Sequence, residues 1–413
     1  MGGFMGSASC SSLLNLTPSD LGALASMAIP RPIVLSGPEG RRIFFKEKNL
    51  HLYETFQSLL GSISSEFDPH QVNGVVRRMS AIQKPDNLQF YCQQQLDSWG
   101  TQADLDPCSA FHEIAFQMVM RPASFDIADD PALLSRLKPL VDLVDSTSNT
   151  SESSWLPNIS SLCKISASAR IYRIIQAEIQ KRRSSGSHKR DTLQQMLDDG
   201  ESSFHIFGLM LGLSLAGARA MGTTVTWLIM YLASDPHWSA AVQKEIETLI
   251  SVHAASPSQI LTETLSSIPL QAWETQTPTL DLCIRETLRI AQPYTAVRKN
   301  VGPELTVGPY TIPSGASVVY PFSDTSINPN DYPNPMRWDP SREFRGDFIG
   351  WGAGKHACKG QRLGTLSMKL LVASVLMRYR ITMGMQAPPV PDWSSAACRP
   401  MEKCGIKLTA KSS

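Results

Sequence analysis

A single cysteine in a glycine-rich loop constrains this chain of 413 residues more than any other feature. Cys358 lies in the stretch Trp351-Gly-Ala-Gly-Lys-His-Ala-Cys-Lys-Gly360, and apolar residues at helical spacing follow directly, from Gln361 to Arg380. A thiolate at a helix N-terminus is stabilised by the helix dipole and by free backbone N–H groups, so we expect Cys358 to ionise easily. The loop glycines allow tight turns and a close approach to a flat partner. An ionised sulfur in such a loop is suited to bind iron.

The spacing of this loop resembles the haem-binding loop of cytochrome P450 enzymes, and two upstream segments strengthen the resemblance. Glu286-Thr-Leu-Arg289 matches the Glu-x-x-Arg helix of the family, and residues three apart on a helix can form an ion pair. Trp338-Asp-Pro-Ser-Arg342 resembles the Pro-x-Arg segment just before the haem loop. The resemblance implies that Glu286, Arg289 and Arg342 form a structural triad. An exposed salt bridge and an ordinary surface arginine are the alternatives.

The same resemblance implies a cofactor and the residues that hold it. The cofactor would be haem b, iron protoporphyrin IX, with Cys358 as the iron ligand. Gly354 and Gly360 would let the loop approach the haem, and Arg298 and His356 would form charge-assisted bonds with its propionates. A surface strand cation at Arg298 and a solvent-facing loop histidine at His356 are the alternatives.

The resemblance and the periodicity together predict a fold class. We expect a mainly α-helical fold with small β-sheets, a single cytochrome P450-like domain in which haem lies between a long distal helix and the helix after the cysteine loop. Residues 1–29 are expected to be irregular and to lack the anchor helix of the family, and residues 30–413 to form the haem domain. The longest apolar helical segment runs from Ser203 to Ser234. Helical spacing also predicts a helix from Leu50 to Ser64, and alternation predicts hairpin strands from Val301 to Tyr320.

The long apolar helix departs from the family where most members carry a small-Gly-x-acid-Thr segment that delivers protons to the oxygen-binding site. The segment here is Ala216-Gly-Ala-Arg-Ala-Met221, so Arg219 and Ala220 take the place of the acid and the hydroxyl. Neither Ala220 nor Met221 can transfer a proton. A second register places Thr223-Thr224 at these positions, and the acid is missing in both registers. We therefore assign no catalytic residue to this region.

Two enzyme functions and one non-enzymatic function are compatible with these motifs. The Trp-Gly-Ala-Gly loop and the Ala-Met-Gly-x-x-x-x-Trp run at 220–227 are similar to the branch that contains prostacyclin synthase and the bile-acid sterol hydroxylases. That branch implies either a monooxygenase that oxidises a hydrophobic small molecule of terpenoid, steroid or polyketide type, in the style of fungal secondary metabolism, or an isomerase or dehydratase that does not use O2. A catalytically silent haem-binding relative is the third possibility. The substrate pocket would be lined by 209–221, 292–296 and 393–397, which are mostly apolar or small.

A monooxygenase would also need a source of electrons. The resemblance implies NADPH through a partner flavoprotein reductase that docks on the cysteine side of the protein. There Lys355, Lys359 and Arg362 offer positive charge, and plain solvation of these side chains is the alternative.

The composition of the chain argues against several other classes of protein. The net charge of +1 gives no electrostatic basis for binding nucleic acid, and the eight cysteines show no spacing typical of a zinc site or a disulfide framework. No uninterrupted apolar run reaches the roughly 18 residues of a membrane span, and the start of the chain lacks the pattern of a signal peptide. We expect a cytoplasmic protein, or one attached peripherally to the cytosolic face of the endoplasmic reticulum.

Overall fold

The computed structural model describes residues 32–52, 85–120, 130–145, 159–185, 192–256, 258–291, 295–343, 348–385, 387–392, 398 and 400–411. The segment 1–29 and the pocket segments 292–294 and 393–397 lie outside these residues, so the predictions made for them stay predictions.

Helices make up most of the described chain, which confirms the predicted fold class. They are α1 (Gly37–Lys46), α2 (Pro85–Ser98), α3 (Pro107–Met120), α4 (Pro131–Asp145), α5 (Ile159–Ser185), α6 (Thr192–Asp198), α7 (Ser203–Gly212), α8 (Arg219–Ser234), α9 (Pro236–His253), α10 (Leu261–Ser267), α11 (Leu270–Thr275), α12 (Pro278–Ala291), α13 (Ser323–Ser326) and α14 (Gln361–Arg378).

The strands form three small sheets. They are β1 (Ile33–Val34), β2 (Leu50–His51), β3 (Gln102–Leu105), β4 (Thr295–Asn300), β5 (Leu305–Val307), β6 (Tyr310–Ile312), β7 (Ser317–Pro321), β8 (Tyr379–Met383) and β9 (Ile406–Ala410). One sheet has the order β1-β7-β4-β2, with β1 and β7 parallel and the other pairs antiparallel. A second sheet has the order β3-β9-β8, and β5 and β6 form a hairpin.

Of two local predictions for this part of the chain, one agrees with the observed strands and the other does not. The hairpin expected between Val301 and Tyr320 is confirmed by β5 and β6, and β7 follows it. The helix expected to begin at Leu50 is wrong at its start, because Leu50 and His51 pair with Asn300 and Lys299 of β4. Pairing with a strand that is distant in sequence makes Leu50-His51 a strand. Helical spacing over a short apolar run cannot reveal such a pairing.

The predicted long apolar helix is present as a continuous run over Ser203–Ser234. A π-helical turn, Leu213–Ala218, joins α7 to α8. The Ser202 hydroxyl caps the start by accepting a hydrogen bond from the backbone N–H of His205. At the other end the Asp235 carboxylate accepts hydrogen bonds from His237 and Trp238, and Pro236 begins the next helix. These caps explain why the run stops at the Asp-Pro pair.

By length and composition alone, the run Ser203–Ser234 is apolar enough to cross a membrane. Helices that pass through a protein core meet the same criterion. Here Trp227, Leu228 and Ile229 are completely buried by protein.

Close packing between α8 and α3 depends on a glycine. A Cβ added at Gly222 would lie 2.9 Å from the Cα of His112 and 3.4 Å from the Cβ of Ala115. The first distance is shorter than real Cβ contacts allow, and the obstacle is backbone that cannot rotate away. Gly222 therefore sets how closely the two helices approach.

We predict that Gly222→Ala destabilises the protein by about 1–3 kcal/mol, because the added methyl group forces α3 and α8 apart. Gly212→Ala is the matched control. It adds the same methyl group to the same run, but no atom lies within 4 Å of the new Cβ, so helix propensity should make it neutral or stabilising by up to about 1 kcal/mol. Thermal unfolding monitored by circular dichroism measures both variants. An unfolding midpoint for Gly222→Ala at or above that of Gly212→Ala would contradict the packing argument.

Candidate active site

The loop that carries Cys358 is folded by its own backbone hydrogen bonds. The backbone N–H of Cys358 donates to the carbonyl oxygen of Trp351 at 2.8 Å, and that of Gly352 donates to Ile349 at 2.7 Å. Gly352 and Gly354 have φ of +69° and +65°, values that favour glycine. A Cβ at Gly354 would also lie 2.1 Å from the carbonyl oxygen of Phe45. Both glycines are therefore required by the loop itself.

Cys358 lies at the N-terminal end of α14. Gly360 precedes the first residue of this helix, and its carbonyl oxygen accepts a hydrogen bond from the N–H of Gly364 at 2.7 Å. The stretch 366–376 of α14 is buried. The buried core thus holds the helix, and the helix holds the C-terminal end of the loop. A Cβ added at Gly360 would lie 4.0 Å from the sulfur of Cys358, an ordinary contact distance, so this glycine lies next to the sulfur.

The electrostatic environment of Cys358 differs from the expectation of easy ionisation. Burial raises the pKa of the Cys358 thiol above its ordinary value, and the N–H of Gly360 and the charge of Lys359 lower it by less. The residue nevertheless keeps exposed surface. The helix terminus alone therefore does not make this thiol acidic. A metal ion would, because a coordinating thiol is deprotonated by the metal's own charge.

Three basic side chains gather beside the loop. The charges of Arg298 and Lys355, together with burial as the largest cause, lower the pKa of His356 to about 4. Burial and the charge of Arg298 also lower the pKa of Lys355, against an opposing effect of Glu47. Arg298 is 5% exposed, and its guanidinium lies 4.9 Å above the ring of Phe44. The positive charges of Arg298 and Lys355 repel each other at close range. An anionic group such as a carboxylate would relieve this repulsion, so the cluster is suited to bind one.

Arg298 and His356, the two residues predicted to hold the propionates, lie near each other in the structure. Lys355 and His51 join them, and sequence reasoning did not place either residue in this group. His51 lies with its ring centroid 6.4 Å from that of His356. Lys355, predicted to lie on a docking surface, instead donates a hydrogen bond to the backbone carbonyl of Lys48. No local pattern marks His51, because only the pairing of β2 with β4 carries it to the loop.

Glu286 and Arg289 form a buried bidentate ion pair on α12. Nε and Nη2 of Arg289 each donate to a carboxylate oxygen of Glu286 at 2.7 Å, and the two residues are 1% and 0% exposed. Nη1 of Arg289 donates to the carbonyl of Ser326 at 2.7 Å, and the guanidinium lies 4.9 Å above the ring of Tyr332. These extra bonds compensate the desolvation of both charges.

Arg342 completes this network from the segment that leads to the cysteine loop. Its Nε lies 3.4 Å from Oε1 of Glu286, and the same oxygen accepts a bond from the backbone N–H of Asp339 at 3.1 Å. Its Nη1 donates to the carbonyl of Pro333 at 2.7 Å. The predicted triad residues therefore lie together, with Glu286 as the common acceptor.

Trp338 fixes the same segment against the long helix. Its indole N–H donates to the hydroxyl of Thr287 at 3.1 Å, and its ring stacks on Tyr231 with centroids 5.2 Å apart. The segment before the cysteine loop is thus attached both to α12 and to α8. Sequence reasoning used Trp338 only as part of a motif and did not identify this contact.

Over 211–223 only Ser214, Ala218, Met221 and Gly222 of the long helix are buried, and five of the accessible residues form a stripe along one face. Its members are 212, 216, 219, 220 and 223, spaced as one face of a helix. Met221 is buried between them. The hydroxyl of Thr224 donates to the carbonyl of Ala220 at 2.8 Å within the helix. Ala220 is thus partly exposed, Met221 belongs to the core, and Thr224 bonds to its own helix.

A cleft of about 430 Å³ lies beside the cysteine loop at the start of α14. Arg362 in its wall is paired with Glu274 of α11, with Nε and Oε1 2.5 Å apart. Lys369 is 2% exposed, and its Nζ donates to the carbonyl of Trp273 at 2.8 Å and lies 2.7 Å from Asp281. Of the three cations predicted for docking, Arg362 and Lys355 are thus engaged within the protein.

The donor set fits haem. Cys358 offers a sulfur ligand at a helix N-terminus, and Arg298 and Lys355 offer cations for the propionates. The pKa of His356, about 4, leaves its imidazole neutral at pH 7, so this residue offers a ring N–H and not a charge. These residues come from β4 and from one loop, and together they form the candidate active site.

We predict that Glu286→Gln destabilises the protein by about 3–5 kcal/mol, because it leaves the guanidinium of Arg289 buried without its counter-charge. Glu274→Gln is the matched control, since it removes the partner of an arginine that is 55% exposed and should change stability by less than about 1 kcal/mol. Urea unfolding followed by tryptophan fluorescence compares the two. Equal losses would show that the network around Glu286 contributes no more than a surface pair.

Comparisons with known proteins agree with this geometry. The cytochrome P450 family model matches residues 107–407, more than half of the chain. The chain is 31% identical over 295 residues to the cytochrome P450 monooxygenase AacuE of Aspergillus aculeatus, covering 67% of this chain and 58% of that protein. It is 26% identical over 286 residues to the cytochrome P450 monooxygenase dmxR5 of a Cryptosporiopsis species, covering 66% and 56% respectively. The chain thus spans less than two thirds of the length of these curated relatives.

A solved structure shows the same fold. Retinoic acid-bound cyanobacterial CYP120A1 superposes with a TM-score of 0.72 at 18% identity, covering 92% of this chain and 89% of that one. The finer resemblance to the prostacyclin synthase branch stays a prediction. With the family match, the cysteine loop and the buried Glu-x-x-Arg network in one fold, the chain belongs to the cytochrome P450 family.

Proposed function

We propose that this protein is a haem-thiolate monooxygenase that oxidises a hydrophobic small molecule of terpenoid, steroid or polyketide type in secondary metabolism. The observation that carries the proposal is the position of Cys358 at the N-terminus of α14 beside the basic cluster of Arg298, Lys355 and His356. The fungal monooxygenases to which the chain is similar support the same reaction class.

In this proposal each part of the site has a separate task. Bound haem would supply oxygen activation, with electron donation from the thiolate. Cys358 would hold the iron, and the N–H of Gly360 and the charge of Lys359 would stabilise the thiolate. Arg298 and His356 would hold the propionates, and this contact would fix the orientation of the macrocycle relative to the distal helix.

The distal side would hold the substrate. Ala216 and Ala220 carry minimal side chains on the accessible stripe, so a bulky apolar molecule fits against the helix. The same stripe offers no carboxylate. Protons would then have to come through ordered water or through hydroxyl groups of the substrate.

Electrons would come from NADPH through a flavoprotein reductase that docks on the cysteine side. Lys359 is half-buried in the wall of the cleft on this side, whereas Arg362 is already paired with Glu274. We further propose a cytoplasmic location or peripheral attachment to the endoplasmic reticulum.

A haem-thiolate isomerase or dehydratase is the second candidate. It is favoured by the placement of Arg219 and Ala220 on the distal helix, because neither side chain can deliver protons for oxygen activation. Such an enzyme would rearrange or dehydrate its substrate without external electrons.

We predict that the reduced, haem-loaded protein gives the red-shifted carbon monoxide spectrum of thiolate-ligated haem, and that Cys358→Ala abolishes it. Cys163→Ala is the matched control, because Cys163 is exposed on α5 and its loss should leave the spectrum unchanged. The spectrum is recorded before and after addition of carbon monoxide. Survival of the band in Cys358→Ala would exclude Cys358 as the ligand.

We predict that product forms from a candidate polyketide or terpenoid only when NADPH, reductase and O2 are all present. Liquid chromatography and mass spectrometry, with 18O2 as oxygen source, measure incorporation of one labelled atom. An isomeric or dehydrated product formed without NADPH would instead establish the second candidate.

A further inference from the structure

The cleft at the start of α14 is lined by charged residues next to the proposed iron ligand. Lys359, which follows Cys358 directly, is part of its wall, together with residues of α11, α12 and α14. The described lining contains three cations and two carboxylates, which are Lys359, Arg362, Lys369, Glu274 and Asp281. The lining therefore has one positive charge in excess, and the pairing of these groups decides which cations a partner can reach.

Lys369 is held within the protein by its own partners. Its side chain is 3% exposed, and its Nζ lies 2.7 Å from Oδ1 of Asp281. The same nitrogen donates to the carbonyl oxygen of Trp273 at 2.8 Å. A buried ammonium group has lost its contact with water, so release from these partners would be strongly unfavourable. Lys369 thus joins α14 to α11 and α12 and is not available for docking.

Arg362 and Glu274 form an ion pair of a different kind, because both side chains face solvent. They are 55% and 38% exposed. Nε of Arg362 lies 2.5 Å from Oε1 of Glu274 and Nη2 lies 3.3 Å from Oε2, which is the two-pronged geometry that a guanidinium offers to any carboxylate. The hydrogen bond from Arg362 also lowers the pKa of Glu274, so this carboxylate stays ionised at neutral pH. Exposed pairs contribute little to stability, so a second carboxylate can replace Glu274 at small cost.

Lys359 is the cation of the lining for which the described residues provide no carboxylate within ion-pair distance. It is half-buried, and Arg362 follows it three residues later in the chain. An acidic side chain that enters the cleft can therefore bind Lys359 directly. At Arg362, however, it meets a carboxylate that is already bound.

We propose that Glu274 is an internal competitor for the docking of the reductase: it occupies Arg362 in the free protein, and an acidic side chain of the reductase displaces it to bind Arg362 and Lys359 together. This inference rests on the proposed function, which supplies the reductase as the partner. The competing group is an Asp or Glu side chain, because the cleft has an excess of positive charge and Arg362 already binds a carboxylate in this geometry. Glu274 thereby makes docking weaker than the two cations alone would allow.

The test uses the haem-loaded full chain and a purified NADPH–cytochrome P450 reductase. Stopped-flow absorption under carbon monoxide follows the first electron transfer at increasing reductase concentration, at low ionic strength where exposed charges are least screened. The half-saturating concentration of reductase measures docking. Glu274→Gln should lower this concentration about threefold, and Arg362→Gln should raise it about threefold.

Asp142→Asn is the matched control for the loss of one negative charge. It removes the carboxylate of another exposed pair, with Lys138 of α4, a helix that packs against α5. The half-saturating concentration should not change in this variant.

The double variant Glu274→Gln/Arg362→Gln separates competition for Arg362 from a general effect of charge. If Glu274 acts by occupying Arg362, its replacement has little effect once Arg362 is absent, so the double variant should dock like Arg362→Gln. An equal fold-change from Glu274→Gln with and without Arg362 would overturn the inference, and so would unchanged docking in Glu274→Gln. Binding of inorganic phosphate to Glu274→Gln in calorimetry, without a change in reductase docking, would also overturn it, because the competing group would then be a free anion.

The carbon monoxide spectrum is recorded for the same preparations and tests the proposed function separately. A spectrum of thiolate-ligated haem, together with docking that is insensitive to Glu274, rejects the inference and leaves the proposed function standing. If the unmodified protein gives no such spectrum, or is not reduced by the reductase, the proposed function fails and the inference fails with it.

Discussion

The buried ion pair between Glu286 and Arg289 is the interaction on which the cysteine side of this protein depends. Both charges are removed from water, a change that is strongly unfavourable unless every polar atom finds a partner. The structure meets this requirement by turning neighbouring backbone toward the pair, including the carbonyl of Ser326 and the N–H of Asp339. The need to satisfy two buried charges thereby determines the path of the chain between α13 and the cysteine loop.

The same network also fixes the position of the loop that carries Cys358. Arg342 and Trp338 attach the approaching segment to α12 and to α8, so the loop begins from a fixed point. Its other end is fixed by the buried helix α14. A loop held at both ends places Cys358 reproducibly, and its glycines allow the backbone to pass close to Phe45. Rigid placement is what a metal ligand requires.

The two sides of the haem site differ in how closely they follow the family. On the cysteine side, Glu286, Arg289 and Arg342 lie in contact, as the family resemblance implies. In the long helix, the stretch 216–224 contains Arg219 and no carboxylate, and the hydroxyl of Thr224 bonds to its own helix. In the proposed function, this combination would keep the residues that hold haem and leave the opposite face without an acid. The missing acid is the physical basis for considering both candidate functions.

Local sequence determined the helices, the end of the long run at Asp235-Pro236 and the glycine-rich loop, because periodicity, capping and φ preferences act over a few residues. Spacing along one helix likewise sufficed to pair Glu286 with Arg289. Only the tertiary structure decided that Leu50-His51 is a strand, that His51 joins the basic cluster and that burial opposes ionisation of Cys358. These outcomes depend on cross-strand pairing and on exclusion of water by distant segments, which no local pattern encodes.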